Sequence, residues 1–214
     1  MDAVFFDMDG LLVDTEKVWL EIETEVMARL GGVWTPEHQT HLVGGSMDRT
    51  VGYMLSVSGS DVSPATLRAW MLDGMVNRLS AGVEIMPGAL ELLEAVRAAG
   101  FPVALVTSSL KEIAEAVLHF VGRDRFDVIV TGDDVSHTKP DPEPYLTAAG
   151  LLGVDPLRCV VLEDSPNGVV AGTAAGCAVV AVPSLLPIEP APGRLVVRSL
   201  TEVDVDTLKA LAHG

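Results

Sequence analysis

A doubly wound, parallel α/β sheet interrupted by an inserted all-helical domain is the fold this sequence predicts. Three observations support it. Short, β-rich apolar runs recur along the chain, helical patterns alternate with them from Leu90 onward, and the stretch from Glu16 to Gly82 offers helical patterns without a convincing strand.

Strands are expected at Val4–Asp7, Val103–Thr107, Val128–Thr131, Cys159–Glu163 and Ala178–Val182, with Leu195–Val197 as a further candidate. Their apolar runs suit strands covered on both faces, the habit of parallel sheets. Leu90–Ala99 and Lys111–Val121 read as helices, with Gly100 and Gly122 as stop signals. Within the insert the helical stretches are Glu16–Leu30, Met47–Val57 and Pro64–Leu79. The flanks Leu11–Thr15 and Ala81–Gly88 read as paired linkers, punctuated by Gly82, Pro87 and Gly88, with Gly82 and Gly88 as hinge positions. The expected division is a core of residues 1–15 and 83–214 and a helical insert of residues 16–82.

The uncharged segment from Ser165 to Ile188 exceeds the ~20 residues that span a bilayer. Gly168, Gly172 and Gly176 break its apolar surface, Pro183 and Pro187 end it, and AVVAV turns the pattern from small-residue helix to β-branched strand. It reads as a buried helix feeding a buried strand. The start MDAVFFDMDG lacks the basic residues and apolar stretch of a secretory signal. Cys159 and Cys177 lie inside apolar runs, where a thiol packs as a small hydrophobe. A monomer in a reducing cytoplasm is expected. The formal charge of −16, with four lysines, disfavours nucleic acid and anionic membranes as partners.

Asp7 and Asp9 stand at the end of the first strand, on one side of an extended chain and roughly 6–7 Å apart along the backbone. Strand ends are where ligands gather in open α/β sheets, and Gly10 permits close backbone approach. Alone, the pair also suits a solvated acidic turn or a calcium loop. The second strand closes with Thr107-Ser108-Ser109, hydroxyls and amides suited to phosphoryl oxygens, although such a string is also a helix N-cap. After the third strand, Lys139 opens a Lys-Pro-Asp-Pro-Glu-Pro run whose prolines stiffen the loop around one cation. The fourth ends in Glu163-Asp164, and Ser165 and Pro166 start the next helix. Carboxylates from the first and fourth strands can hold a hard cation such as Mg²⁺, while hydroxyls, lysine and amides hold phosphate oxygens. That cation would supply the positive field an acidic chain lacks.

The strings FFDMDGLLVDTE, ALVTSS, HTKPDPEPY and VVLEDSPNG resemble, in this order, the haloacid dehalogenase-like superfamily, specifically its helical-capped phosphatase and β-phosphoglucomutase-like branch. The resemblance covers the whole chain. It implies a Rossmann-like core under a helical cap, Asp7 as a nucleophile that becomes an aspartyl phosphate, and Asp9 as general acid–base. It further implies that Met8, Gly10, Thr107, Ser108 and Lys139 bind the phosphoryl group. Asp7, Asp164 and the Asp9 carbonyl would ligate Mg²⁺, with Glu163 a direct or indirect contributor.

Other chemistries of that family fit less well. Dehalogenases lack the second aspartate, phosphonate-cleaving relatives replace it and use a cap lysine, and ion pumps carry Lys-Thr-Gly after the nucleophile and membrane helices. Here Asp9 is present, and the insert's one lysine, Lys17, lies at its edge. Three readings remain: hydrolysis of a small phosphorylated metabolite such as a sugar phosphate, phosphoryl transfer by a sugar phosphomutase, and a non-catalytic module binding Mg²⁺ or a phosphorylated ligand. Sugar phosphomutases place an arginine just after a Gly-x-Ser turn, whereas Gly44-Gly45-Ser46 is followed by Met47. Arg49 lies two residues on, about 200° around a helix, which favours hydrolysis. Trp19, Glu23, Gly45, Ser46, Met47 and Arg49 are the expected substrate contacts, Trp19 reading equally as insert core or as a stacking platform. His38, His41, His119, His137 and His213 share no ligand spacing.

Overall fold

The computed structural model describes residues 1–42 and 44–212, so His213 lies outside the described residues. Among the described residues, one sheet contains β1 (Ala3–Phe6), β2 (Val103–Val106), β3 (Val128–Val130), β4 (Cys159–Glu163), β5 (Ala178–Ala181) and β6 (Arg194–Val196). Their order is β3-β2-β1-β4-β5-β6, and every neighbouring pair is parallel. From β1 the chain runs outward through β2 and β3, then crosses back to β4 on the other side of β1, so the connections leave β1 and β4 in opposite directions. The carboxyl ends of these two neighbours therefore border the crevice where such sheets bind ligands.

β1, β2 and β4 are wholly buried, as strands covered on both faces must be. Several strands stop sooner than the sequence suggests: Asp7, Thr107 and Thr131 lie just past their last apolar residues. The first two still donate ladder bonds, to Leu162 and Val130 carbonyls at 3.1 and 2.9 Å, which points these polar residues from a rigid edge.

Between β1 and β2 the chain forms α1 (Glu16–Arg29), α2 (Pro36–Thr40), α3 (Met47–Ser58), α4 (Pro64–Leu79) and α5 (Ala89–Ala98). The short α2, led by Pro36, carries too few residues to show a period and was not expected. Then follow α6 (Lys111–Val121), α7 (Glu143–Leu152), α8 (Pro166–Ala174) and α9 (Val205–Leu211). The uncharged Ser165–Ile188 segment is α8 and β5, as read from its pattern, and no helix among the described residues is long and apolar enough to cross a membrane.

Two apolar clusters cover the sheet. Val4, Phe6, Val160 and Leu162 face α5, α6 and α9, and this cluster runs unbroken into the buried faces of α1, α3 and α4. Phe5, Val161 and Val179 face the opposite layer with Tyr145 and Ala148 of α7 and Val169 of α8, where Cys159 and Cys177 are buried and free.

Of the two hinge candidates, Gly82 has open space around it, whereas Gly88 is wedged. It caps α5 at φ +81°, and a Cβ there would lie 2.5 Å from the Thr201 nitrogen and 2.8 Å from the Leu200 carbonyl carbon. Gly88→Ala combines left-handed strain with backbone overlap, and is expected to lower unfolding free energy by about 2 kcal/mol or more. Urea titration should show a lower midpoint with an unchanged slope.

Candidate active site

Strand alternation decides which side chains meet. Phe5 and Val161 face the α7–α8 layer, and side chains two residues further on share that face, which carries Asp7 and Glu163 to the same side. There they meet Lys139. Its ammonium donates to Asp7 Oδ1 at 2.5 Å, Glu163 Oε1 at 2.5 Å and the Val106 carbonyl at 2.8 Å, using all three hydrogens. Tyr145 donates its hydroxyl to Glu163 Oε1 at 2.6 Å, and Lys139 Nζ lies 5.0 Å from the Tyr145 ring centre. Glu163 Oε2 accepts from the Asp164 and Ser165 amides and the Ser165 hydroxyl at 3.2–3.4 Å.

Burial alone would lower the Lys139 pKa, but the charges of Asp7 and Glu163 outweigh it and hold the ammonium above its ordinary range. One cation does not balance three buried carboxylates. Burial, and then the Glu163 charge, push the Asp7 carboxyl well above its usual range despite Lys139. Burial and the charges of Asp7 and Glu163 do the same to Asp164.

This imbalance, and the oxygen-only donor set, suit a divalent cation. Asp7, Glu163 and Asp164 each present a carboxylate oxygen within 4.8 Å of the other two. Glu163 has both oxygens taken by protein donors, so Asp7 and Asp164 are the carboxylates free to hold it. Asp7 Oδ2 has no hydrogen-bond donor among the described residues, while Asp164 Oδ2 accepts from the Ser184 hydroxyl at 2.5 Å. Two glycines make the room: a Cβ at Gly10 would overlap the Asp164 carboxylate, and one at Gly168 would overlap that of Glu163.

Asp9 is held by hydroxyls. Thr15 donates to its Oδ1 at 2.7 Å, and Thr107 and Ser109 to its Oδ2 at 3.1 and 2.8 Å. Thr15 occupies the N-cap position of α1 yet makes no side-chain cap bond, its hydroxyl being spent on Asp9. Ser108 is different: it is 8 % exposed, and its hydroxyl has no partner among the described residues. It lines the same cavity as Asp7, Asp9 and Lys139, so it offers an idle donor to a ligand there.

The far wall of this cavity, whose volume is about 60 Å³, comes from the insert. Trp19 and Glu23 line it with Gly45, Ser46 and Met47, as do Glu16 and Gln39, which the sequence did not single out. Glu16 and Glu23 sit at i and i+7 with Trp19 between them, on one face of α1. Gln39 Nε2 donates to the Glu16 carbonyl at 3.0 Å and its Oε2 at 3.3 Å, and Trp34 Nε1 donates to Glu23 Oε2 at 2.9 Å. Burial, reinforced by Asp9 and Asp14, pushes Glu16 up to about 7, and burial pushes Glu23 up to about 8.

Four expected residues do not line the cavity. Met8 has its side chain in the apolar core, Gly10 backs onto Asp164, and Glu163 anchors Lys139 from behind. Arg49 is exposed and donates Nη2 to the His41 carbonyl at 2.8 Å, lining instead an outer groove with His137 and Asp141.

A family profile described as haloacid dehalogenase-like hydrolase matches residues 4–182, spanning both the strand-end residues and the insert. The chain belongs to this family. As a haloacid dehalogenase-like hydrolase it is 37 % identical to hexitol phosphatase A of Escherichia coli (strain K12) over 183 residues, covering 83 % of this chain and 81 % of the relative. It is 33 % identical to fructose-1-phosphate phosphatase YqaB of the same organism, covering 81 % and 92 % of the two chains. Among solved structures, a CbbY variant from Rhodobacter sphaeroides in complex with xylulose 1,5-bisphosphate superposes with a TM-score of 0.88 at 27 % identity, covering 97 % of this chain and 99 % of that one.

Thr15, Glu16, Tyr145 and Ser184 escaped the sequence reading, and Ser109, read with Thr107 and Ser108 as a phosphoryl-binding hydroxyl, is bonded to Asp9 instead. Thr15 and Glu16 lie inside the FFDMDGLLVDTE string, so proximity to motif residues was the available signal. Gln39, from the unanticipated α2, offered none.

Glu23 binds its proton more tightly folded, near pH 8, than unfolded, near pH 4.5. Its contribution to stability is therefore full below about pH 4.5 and is lost as pH rises through about 8. Glu23→Gln keeps an acceptor for Trp34 and removes this titration. Denaturant unfolding from pH 5 to 9 should give a flatter profile for the variant, and greater stability than the parent at pH 9 by on the order of 2 kcal/mol.

Proposed function

We propose that this protein is a Mg²⁺-dependent phosphatase of small phosphorylated metabolites, sugar or polyol phosphates, working through an aspartyl phosphate on Asp7. The observation that carries this reading is Asp7 itself: Lys139 fixes one of its oxygens, the other has no donor among the described residues, and the idle Ser108 hydroxyl lines the same cavity. The phosphatases among its relatives support it.

In this mechanism Asp7 Oδ2 attacks phosphorus and the ester P–O bond breaks, while Asp9 gives its proton to the departing oxygen. Asp9, then a carboxylate, takes a proton from a water whose oxygen attacks phosphorus, releasing inorganic phosphate and restoring Asp7. Lys139 orients Asp7 through Oδ1 rather than reaching the phosphoryl group, since its hydrogens are engaged. Ser108, through its hydroxyl and amide, receives the phosphoryl oxygens with the amides of Met8 and Asp9, since those of Gly10, Thr107 and Ser109 already donate to Val13, Val130 and the Thr107 hydroxyl. Asp7, Asp164 and the Asp9 carbonyl would hold Mg²⁺, with Glu163 acting through Lys139. Bound there, Mg²⁺ supplies positive charge that screens the repulsion between carboxylate and phosphate dianion.

Residues 16–82 serve as a cap and residues 1–15 and 83–214 as the core. A cavity of about 60 Å³ is small beside ordinary ligand sites, so admission of a phosphorylated sugar calls for the cap to open. Arg49, turned to the outer groove, favours hydrolysis over phosphomutase chemistry.

Phosphate release from a panel of sugar and nucleoside monophosphates tests this reading. Release should require Mg²⁺, stop with EDTA and vanish in Asp7→Asn, and Asp9→Asn should lose about 10²–10⁴-fold in kcat. Sugar phosphate isomerised after bisphosphate priming, without net release, would replace it with the mutase.

A further inference from the structure

Resting on that phosphatase reading, we infer that the wall formed by α1 and α2 selects phosphate monoesters whose organic part is an uncharged polyol and turns away esters bearing a second anion, with Glu16 and Glu23 as the specificity-determining residues.

The wall is built of acceptors. Glu16 and Glu23 each have Oε2 held by a donor of the insert, Gln39 for one and Trp34 for the other. The side-chain donors found among the described residues go to Oε2 in both, which leaves the Oε1 atoms to the cavity that both side chains line. The idle Ser108 hydroxyl lies with the strand-end residues and fixes where the phosphoryl group sits, which leaves the organic part of the ester facing α1. Hydroxyl groups there would donate to the two carboxyl groups, and Trp19 offers an apolar face to the carbon chain between them.

No cation from the insert answers a second anion. Among the described residues lining the cavity, Lys139 is the one cation, and its hydrogens go to Asp7, Glu163 and Val106. Lys17 turns outward to Asp14 at 2.6 Å and Glu84 at 3.5 Å, and Arg49 lies outside the cavity, exposed on the outer groove with Nη2 on the His41 carbonyl. A second phosphate or a carboxylate at this wall would lose its water without gaining a positive partner. With either glutamate ionised, a like charge about 8 Å away at an effective dielectric of about 20 weakens binding about 30-fold. The fold does not impose this rejection, since the CbbY variant of similar fold is in complex with a bisphosphate. The wall residues of this chain impose it.

The test compares esters matched in carbon skeleton, with Mg²⁺ at pH 9, above the values to which Glu16 and Glu23 are pushed. Fructose 1-phosphate is set against fructose 1,6-bisphosphate, and glucitol 6-phosphate against 6-phosphogluconate, with p-nitrophenyl phosphate as a generic ester. Within each pair kcat/KM should fall at least about 30-fold when the second anion is present. Glu16→Gln, and Glu16→Gln with Glu23→Gln, should each narrow that ratio, a readout in which general losses of activity cancel. Equal turnover within the pairs by the parent protein overturns the inference while leaving the phosphatase standing. So does bisphosphate turnover that disappears in Arg49→Ala, which would seat the anion in the outer groove. Phosphate release from none of the esters, p-nitrophenyl phosphate included, overturns the phosphatase reading and this inference with it.

Discussion

The buried ammonium of Lys139, shared by Asp7 and Glu163, is the contact on which the strand-end geometry depends. Two carboxylates on adjacent central strands would repel one another in a low-dielectric interior, and the amine between them turns that repulsion into a clamp. The load does not fall on Lys139 alone. Tyr145 and the amides at the start of α8 take the remaining lone pairs of Glu163, so the anchor behind the ammonium is itself fully hydrogen-bonded. An Asp7 carboxylate held through one oxygen keeps the other aimed, because rotation would break the bond to Lys139.

Packing has to make way for this cluster. α8 presents Gly168 where any side chain would collide with Glu163, and the turn after β1 presents Gly10 against Asp164. The charges are thus bedded against bare backbone, which excludes water from behind and leaves the cavity side as their one approach. The organisation separates tasks by element. Strand ends carry the acid, hydroxyl and lysine groups on a rigid sheet edge, whereas α1 and α2 line the far wall of the cavity.

The sheet, the insert and the acid, hydroxyl and lysine positions were legible because each leaves a local mark: an apolar run, a helical period, a polar residue where a strand stops. What the sequence could not show was direction. Glu163 and Asp164 are neighbours in the chain, but alternation sends Glu163 behind Lys139 and leaves Asp164 toward the cavity. Thr107 and Ser108 read as equivalent hydroxyls, yet one is bonded to Asp9 and the other is unpartnered. Tyr145 was hidden for another reason: it reaches Glu163 from a helix beginning inside a proline-rich run, which read as loop. Gln39 reaches the site from a five-residue helix too short to show a period.

The three hydroxyl bonds on Asp9 come from two elements. Thr107 and Ser109 lie just past the end of β2, while Thr15 is the N-cap of α1, the helix that forms the far wall. A carboxylate strung between them cannot keep its present orientation if α1 rotates away from the sheet, because the Thr15 bond must lengthen first. Asp9 is in that sense a clutch plate: the helix of the far wall and the carboxylate at the strand end are joined by one hydroxyl, so neither turns without loading the other.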